Sequence, residues 1–322
     1  MNPTGDWTGK DFAHEAFLYS SDEEAAARCL PFVHEGFERG EPVVVVASEA
    51  LREVLVAHLG DDVGRLAALV PAEGRWEGGF GTLSAYDRDL QQFRANGTPW
   101  RLIGEPTWLA RPEGRVWSRF EAVVNEAYAD LAFYLLCPHD TRQLDPDVLE
   151  AVLRSHPMTW GGTGPVASPT YEDTATFLRR AEPAWTERPA GALVRQVGDA
   201  RQARALVGEV LGGERTGDGA GGGAGDLPGE REQDALIAVN ELVSNALRAA
   251  GSAEVSTWRE DGCRVWEVAD SGPGFHAATA GYVPPADDLD CGRGLWLARG
   301  LASDATVRAT GQGTAIRLFF RD

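Results

Sequence analysis

Glu241 and Asn245 stand four residues apart in NELVSNALRAAG, residues 240–251. A helix there carries both on one face, one turn apart. A carboxylate and a carboxamide so placed can orient a water and a Mg2+ ion, which takes few oxygen ligands from protein and the rest from water and phosphate. Val239, Leu242 and Ala246 fall on the side to be buried. Next comes Asp270-Ser271-Gly272-Pro273-Gly274-Phe275, directly after the strand-like CRVWEVA. Asp270 could accept a hydrogen bond from an exocyclic amine such as adenine N6, and Gly272 and Gly274 would let a planar ligand approach bare backbone. Cys291-Gly292-Arg293-Gly294-Leu295 is a glycine loop opening a helix. Backbone N–H groups and the helix dipole suit phosphate oxygens there. Gly311-Gln312-Gly313-Thr314 is a turn between two strand-like runs, from which Thr314 could reach a base through a water. Each fragment alone has a plainer reading: a solvated helix face, a loop turn, a glycine helix cap, a hairpin turn.

These residues need elements to hold them. The second part of the chain reads as helix 199–211, helix 230–250, strands 253–258 and 263–269, helix 293–302, and strands 304–309 and 313–320. Two helices, antiparallel strands and an inserted helix predict an α+β sandwich with helices on one sheet face. Between the first two helices, Gly212 to Gly229 is half glycine without apolar periodicity, and is expected to be mobile. It is not read as the domain boundary, because Ala203, Leu206, Val207 and Val210 form a helical face that needs the following helix as partner. The boundary is placed in EPAWTERPAG, residues 182–191. Before it, strand-like runs such as PVVVVA (42–47), WRLI (100–103) and AFYLLC (132–137) alternate with helical periods over 22–40, 50–59, 114–129 and 144–155. That alternation predicts an α/β domain with a mainly parallel sheet. The expected division is thus 11–182, a linker 183–191, and 192–322.

The chain has 322 residues, 43% hydrophobic and 25% charged, as expected for two globular domains. Its 30 basic and 49 acidic side chains give −19, which argues against direct nucleic-acid binding and against an anionic membrane surface. Residues 1–184 carry −13 of that charge. No spanning apolar run or signal-peptide core is visible, so a soluble cytoplasmic protein is expected. Cys29, Cys137, Cys263 and Cys291 are scattered without C-x-x-C, so the expectation is reduced thiols. Cys137, His139, Asp140 and His156 lie at or beyond a strand end. A metal site there matches no standard spacing, and loop polarity with one core cysteine is the plainer reading. Seven of the ten tryptophans precede residue 188, which packing explains as well as an aromatic ligand pocket does.

In order, the boxes E-L-V-x-N-A, D-x-G-x-G, G-x-G-L and G-x-G-T resemble the Bergerat (GHKL) ATP-binding fold shared by gyrase, Hsp90, histidine kinases and MutL, over about residues 188–322. The resemblance implies ATP or ADP with Mg2+ as cofactors. It implies Asn245 as the Mg2+ ligand and Asp270 as the adenine contact, with Gly272 and Gly274 shaping the base pocket. Gly292, Arg293 and Gly294 would border the phosphates, and Thr314 would sit near the adenine. No P-loop occurs, and Lys10 is the sole lysine. None of the six histidines begins a phosphoacceptor motif, and no transducer domain is read before Asp322, so histidine-kinase, gyrase and Hsp90 branches are not expected. The compact domain looks most like the anti-sigma-factor serine/threonine kinases. That branch implies Glu241 as general base, and a sigma factor and a STAS-type antagonist as partners. A nucleotide-dependent binding module without turnover and an orphan histidine-kinase-like protein stay open, as does a homodimer. Arg248-Ala249-Ala250 and the long Gly212–Gly229 segment depart from that branch and put turnover in more doubt than nucleotide binding. HEAFLYSSDEEAAA, GEPVVVVAS and FYLLCPHDTRQLDPDVLEAVLRSHP resemble the MEDS sensory domain of methanogen and methylotroph regulators, over about residues 11–160. That implies signal input by a small molecule on a RecA-like α/β fold whose phosphate loop is absent.

Overall fold

A computed structural model describes residues 7–73, 98–111, 114–182, 184–217, 229–274, 279–282, 293–310 and 313–321. The chain forms two compact units, Met1–Ala181 and Glu182–Asp322.

In the first unit, β1 (Ala13–Tyr19), β2 (Val43–Ala47), β3 (Ala68–Pro71), β4 (Trp100–Gly104), β5 (Phe133–Asp140), β6 (Met158–Trp160) and β7 (Pro165–Ala167) make one sheet in the order β3-β2-β4-β5-β1-β6-β7. Every pairing is parallel except β6 with β7. Helices α1 (Asp22–Arg39), α2 (Glu49–Leu59), α3 (Gly114–Ala127), α4 (Pro146–Ser155) and α5 (Thr174–Ala181) connect or follow the strands. The β-branched run VVVVA is buried along its whole length because both of its faces are covered. Val43 and Val45 pack with Cys29 and Phe32 of α1 and Leu55 of α2, while Val44 and Val46 pack with Trp100, Phe133 and Tyr128 on the opposite face. The short β3, β6, β7 and α5 lie outside the elements the periodicity predicts.

At the carboxyl edge of this sheet, where open α/β sheets bind ligands, carboxylates are engaged by the chain's own donors. Glu24 accepts from the Ser20 backbone N–H at 2.7 Å and from the Ser20 hydroxyl at 2.9 Å, while the Ser21 hydroxyl caps the Glu24 N–H. The anion position at the start of α1 therefore holds the helix's own side chain. Glu105, buried between strands, accepts from the Tyr19 hydroxyl and the Ser48 N–H.

The second unit is an antiparallel sheet in the order β11-β12-β10-β9-β8. Its strands are β8 (Leu193–Val197), β9 (Ala253–Glu260), β10 (Cys263–Asp270), β11 (Asp304–Thr310) and β12 (Gly313–Arg321). Asp261 and Gly262, both at positive φ, make the two-residue turn between β9 and β10. Helices α6 (Ala200–Gly217), α7 (Glu230–Ala250) and α8 (Arg293–Leu301) cover one face. The stripe Ala235, Ala238, Val239, Leu242, Val243 and Ala246 of α7 packs on Trp266, which is fully buried. Helix α6 runs to Gly217, so the first part of the segment expected to be mobile is helical. Val207, Val210 and Leu211 pack on the core up to the first glycine, and that packing outweighs the roughly 1 kcal/mol that each helical glycine costs. Residues 218–228 of that segment lie outside the described residues.

The other sheet face carries charged groups. Residues expected as linker lie on it: Arg317 stacks over Trp185 at 4.0 Å and donates to the Thr186 hydroxyl, and Arg188 binds Glu254 at 2.6 Å. Glu267 accepts from Arg317 at 2.7 Å and stands 3.5 Å from Arg188. Among the described residues no helix is long and apolar enough to cross a membrane.

Candidate nucleotide site

The polar edge of α7 supplies the axis of the site. Glu241, Asn245 and Ala249 recur every fourth residue, so they line up over two turns, about 12 Å along the helix. Glu241 and Asn245 are both half-buried, with their apolar neighbours Leu242 and Ala246 inside. At one end of the line stands the start of α8. A Cβ on Gly294 would lie 2.9 Å from Asn245 Nδ2 and 3.0 Å from Glu241 Oε2. Only a residue without a side chain lets the first turn of α8 come this close to both polar groups. That turn brings the start of a helix, whose dipole suits anions, to the Glu241–Asn245 pair.

At the other end stands Asp270, the last residue of β10. Its Oδ1 accepts the Gly272 N–H at 2.8 Å, which turns the chain back toward Ala249, and Gly274 follows with φ 72°. The second carboxylate oxygen retains capacity to accept from a ligand. Asp270 pairs across the sheet with Thr314 on β12. That register depends on Gly313, at φ 147°, whose Cβ would fall 2.1 Å from the Asp270 carbonyl oxygen. The structure therefore brings Glu241, Asn245 and Gly294 together at one end of the line, and Asp270, Gly272 and Thr314 together at the other. Arg293 is exposed at the first position of α8. Gly292 lies outside the described residues.

One contact in the site, between helix residues three apart, bears on the metal role expected of Asn245. Arg248 donates from Nη2 to Asn245 Oδ1 at 3.0 Å, so a guanidinium cation sits on the oxygen expected to serve a metal. A cavity of about 760 Å3 opens beside Trp185, Arg188, Glu267 and Arg317, and its lining reaches Asp270 and Thr314, so it borders one end of this line. Its Glu267 is already engaged by Arg188 and Arg317, and it lacks the helix start that the α7 face has.

Comparison with known proteins agrees with this division. Residues 13–157 match the MEDS family, described as the methanogen/methylotroph, DcmR sensory domain, and residues 221–320 match the histidine kinase-like ATPase domain. A MEDS domain is followed by a GHKL-type ATPase domain. No match was found among curated proteins. Solved structures with local similarity include the RsbU and RsbW domains of a Mycobacterium tuberculosis protein, at 21% identity and a TM-score of 0.27, over 40% of this chain and 32% of that one. Another is the histidine kinase domain of a blue-light activated histidine kinase from Erythrobacter litoralis, at 20% identity and 0.24, over 37% and 64%. A third is the histidine kinase AdeS of Acinetobacter baumannii, at 10% identity and 0.24, over 46% and 73%. The chain thus spans less than two thirds of the first two relatives, and scores this low carry no functional argument.

In the MEDS domain, of the four residues singled out at the β5 end, Asp140 parts from Cys137, His139 and His156. Asp140 binds Arg142 and Gln143, and its carboxyl is held below the usual range although burial opposes this. Cys137 and His156 instead converge with His14 and Glu121, which sequence spacing did not single out. The available signal was weak: a His-Glu pair inside an otherwise apolar strand. His139 is buried beside them, with burial lowering it to about 3.

Proposed function

We propose that the ATPase domain binds adenine nucleotide with Mg2+ along the α7 edge, and that it works as an anti-sigma factor and serine/threonine kinase under control of the MEDS domain. The observation that carries this reading is the approach of Gly294 to Glu241 and Asn245 at one end of a line whose other end is Asp270. The residues fit the group: a cradle that a Cβ would fill, a carboxamide oxygen for the metal, and a carboxylate for an exocyclic amine. Asn245 would hold Mg2+, Asp270 would accept from the base, and the N–H groups at the start of α8 would face phosphate oxygens. The bound nucleotide supplies the phosphoryl group. Glu241, one turn from Asn245, is placed to accept the proton of an incoming serine or threonine hydroxyl.

Partners follow from the same reading: a sigma factor held by the ATPase domain, and a STAS-type antagonist that receives the phosphoryl group. The rival is a nucleotide-dependent binding module without turnover, and the Arg248–Asn245 contact favours it, since a side chain there competes with the metal. Partners recovered from native cytosol, followed by transfer of radiolabelled γ-phosphate, separate the two. Glu241→Ala is expected to abolish transfer and leave nucleotide affinity within about 3-fold, because a base acts on the acceptor hydroxyl. Equal loss of both would make Glu241 a binding residue and remove the kinase reading. Absence of ATP and ADP binding by the wild-type chain in calorimetry would remove the whole proposal.

A further inference from the structure

His14 on β1, Glu121 on α3, Cys137 on β5 and His156 just past α4 are brought together inside the first unit. They are 0%, 5%, 3% and 0% exposed, and one ligand atom from each lies within 4.8 Å of all the others. We infer that these four side chains form a mononuclear site for a Zn2+-class transition-metal ion, independent of the nucleotide site.

The hydrogen bonds around the cluster fix which atoms face inward. Asn125 donates its amide N–H groups to the Ala122 and Ser155 carbonyl oxygens, at 3.1 and 2.8 Å, so its Oδ1 must accept. His14 Nδ1 lies 3.0 Å from that oxygen and therefore carries the proton, which leaves a lone pair on Nε2. His156 Nδ1 lies 2.8 Å from the Val152 carbonyl oxygen and must likewise donate. Its Nε2, with no hydrogen-bond partner, is a buried lone pair without a proton to accept. Buried polar atoms are seldom left so. Metal-bound histidines are held in this way, by a carbonyl or amide on the nitrogen that does not bind.

Distances agree with the chemistry. Bonds of about 2.0–2.3 Å to N, O and S in a tetrahedron place neighbouring ligand atoms roughly 3.3–3.7 Å apart. His14 Nε2 to Cys137 Sγ is 3.4 Å, and His156 Nε2 to Glu121 Oε2 is 3.5 Å, so two edges are already at length. The remaining pairs lie within 4.8 Å and must close to that length, the widest by about 1 Å, as the side chains draw in on the ion. Charge agrees too. Two neutral imidazoles, one thiolate and one carboxylate cancel a divalent cation, and the buried complex carries no net charge. The two ligand protons leave to solvent on binding. One sulfur, two imidazole nitrogens and one carboxylate select Zn2+ over Mg2+ or Ca2+, which take oxygen.

The test uses the full chain, purified metal-free and titrated with Co2+ and then Zn2+. The expected result is one ion per chain, a thiolate-to-cobalt charge-transfer band with tetrahedral visible bands, and loss of both when Zn2+ displaces Co2+. Cys137→Ala should remove the charge-transfer band, while Cys29→Ala, on the other face of the sheet, should keep it. Asn125→Ala should weaken Zn2+ binding about 10–100-fold through the orientation of His14. Should Cys137→Ala fail to fold, the wild-type cobalt spectrum still decides. Binding without a sulfur charge-transfer band, octahedral bands, or no ion retained after dialysis overturns the site.

Discussion

At the start of α1 in the MEDS domain, Asp22, Glu23 and Glu24 crowd the first turn, and Glu24 fills the backbone donors ahead of it. At the start of α8 in the ATPase domain the first turn reads Arg-Gly, and a missing Cβ keeps space beside Glu241 and Asn245. Helix α1 follows β1 directly and α8 comes after the longer segment 271–292, and both starts are suited by their dipoles to anions. One start holds its own carboxylate; the other, under the proposed function, faces nucleotide phosphates. On that reading fold alone does not make a nucleotide site: side chains at a few positions decide whether a helix start is used. The MEDS domain puts its polar chemistry inside, around His14, Glu121, Cys137 and His156, whereas the ATPase domain keeps Glu241 and Asn245 half-buried at a rim.

The largest test of that contrast is acid. Burial lowers His14 to about 4 and His139 to about 3, and pushes His156 well down. Their folded values lie below the unfolded 6.5, so the stability they contribute is complete above pH 6.5 and is lost as pH falls toward 4. The loss is expected to be on the order of a few kcal/mol, reduced by Glu121, whose carboxyl burial raises to about 8, so that acidification there works the other way. His276, the one histidine of the second unit, lies outside the described residues. In thermal melts at pH 7.5 and 5, the transition that ATP does not shift should move down most. Equal movement of both transitions would erase the contrast.

Asp270→Asn is next, because it presents a donor where an exocyclic amine needs an acceptor; calorimetry should show adenine-nucleotide affinity falling about 100-fold. Gly294→Ala should lower Mg2+-nucleotide affinity about 10-fold at near-unchanged Tm, since the added methyl meets only the ends of Asn245 and Glu241. An unaffected affinity would mean that the start of α8 is not part of the site. The smallest effect is expected from Arg248→Ala. Removing an exposed guanidinium from Asn245 Oδ1 should raise Mg2+-nucleotide affinity roughly 2- to 5-fold, within the range of an exposed charge contact. A fall instead would place Arg248 among the nucleotide's own contacts.

What the sequence showed depended on burial and on locality. Val43–Ala47 and Phe133–Asp140 are buried at every position, and their unbroken apolar runs stand out. Strands β3, β7 and β8 are half-exposed edge or near-edge strands, and Pro165–Ala167 has neither alternation nor a run to reveal it. The Glu241–Asn245 pair is local to one helix and could be read from its spacing. The approach of Gly294 to that pair joins residues some fifty positions apart. His14, Glu121, Cys137 and His156 come from four elements, and nothing in their separations of 107, 16 and 19 residues announces a cluster.

Trp185 and Arg188 have one more consequence. They grip β10 and β12 through Glu267 and Arg317, and those two strands end at Asp270 and begin at Gly313, beside Thr314. The chain therefore enters the second unit along a load path that terminates at the Asp270–Thr314 end rather than at the Glu241 end. Under the proposed function, tension or slack on residues 182–188 would change how firmly nucleotide is held before it changed phosphoryl transfer. A truncated chain beginning at Glu182 keeps that grip, whereas one beginning at Pro189 has let go of it.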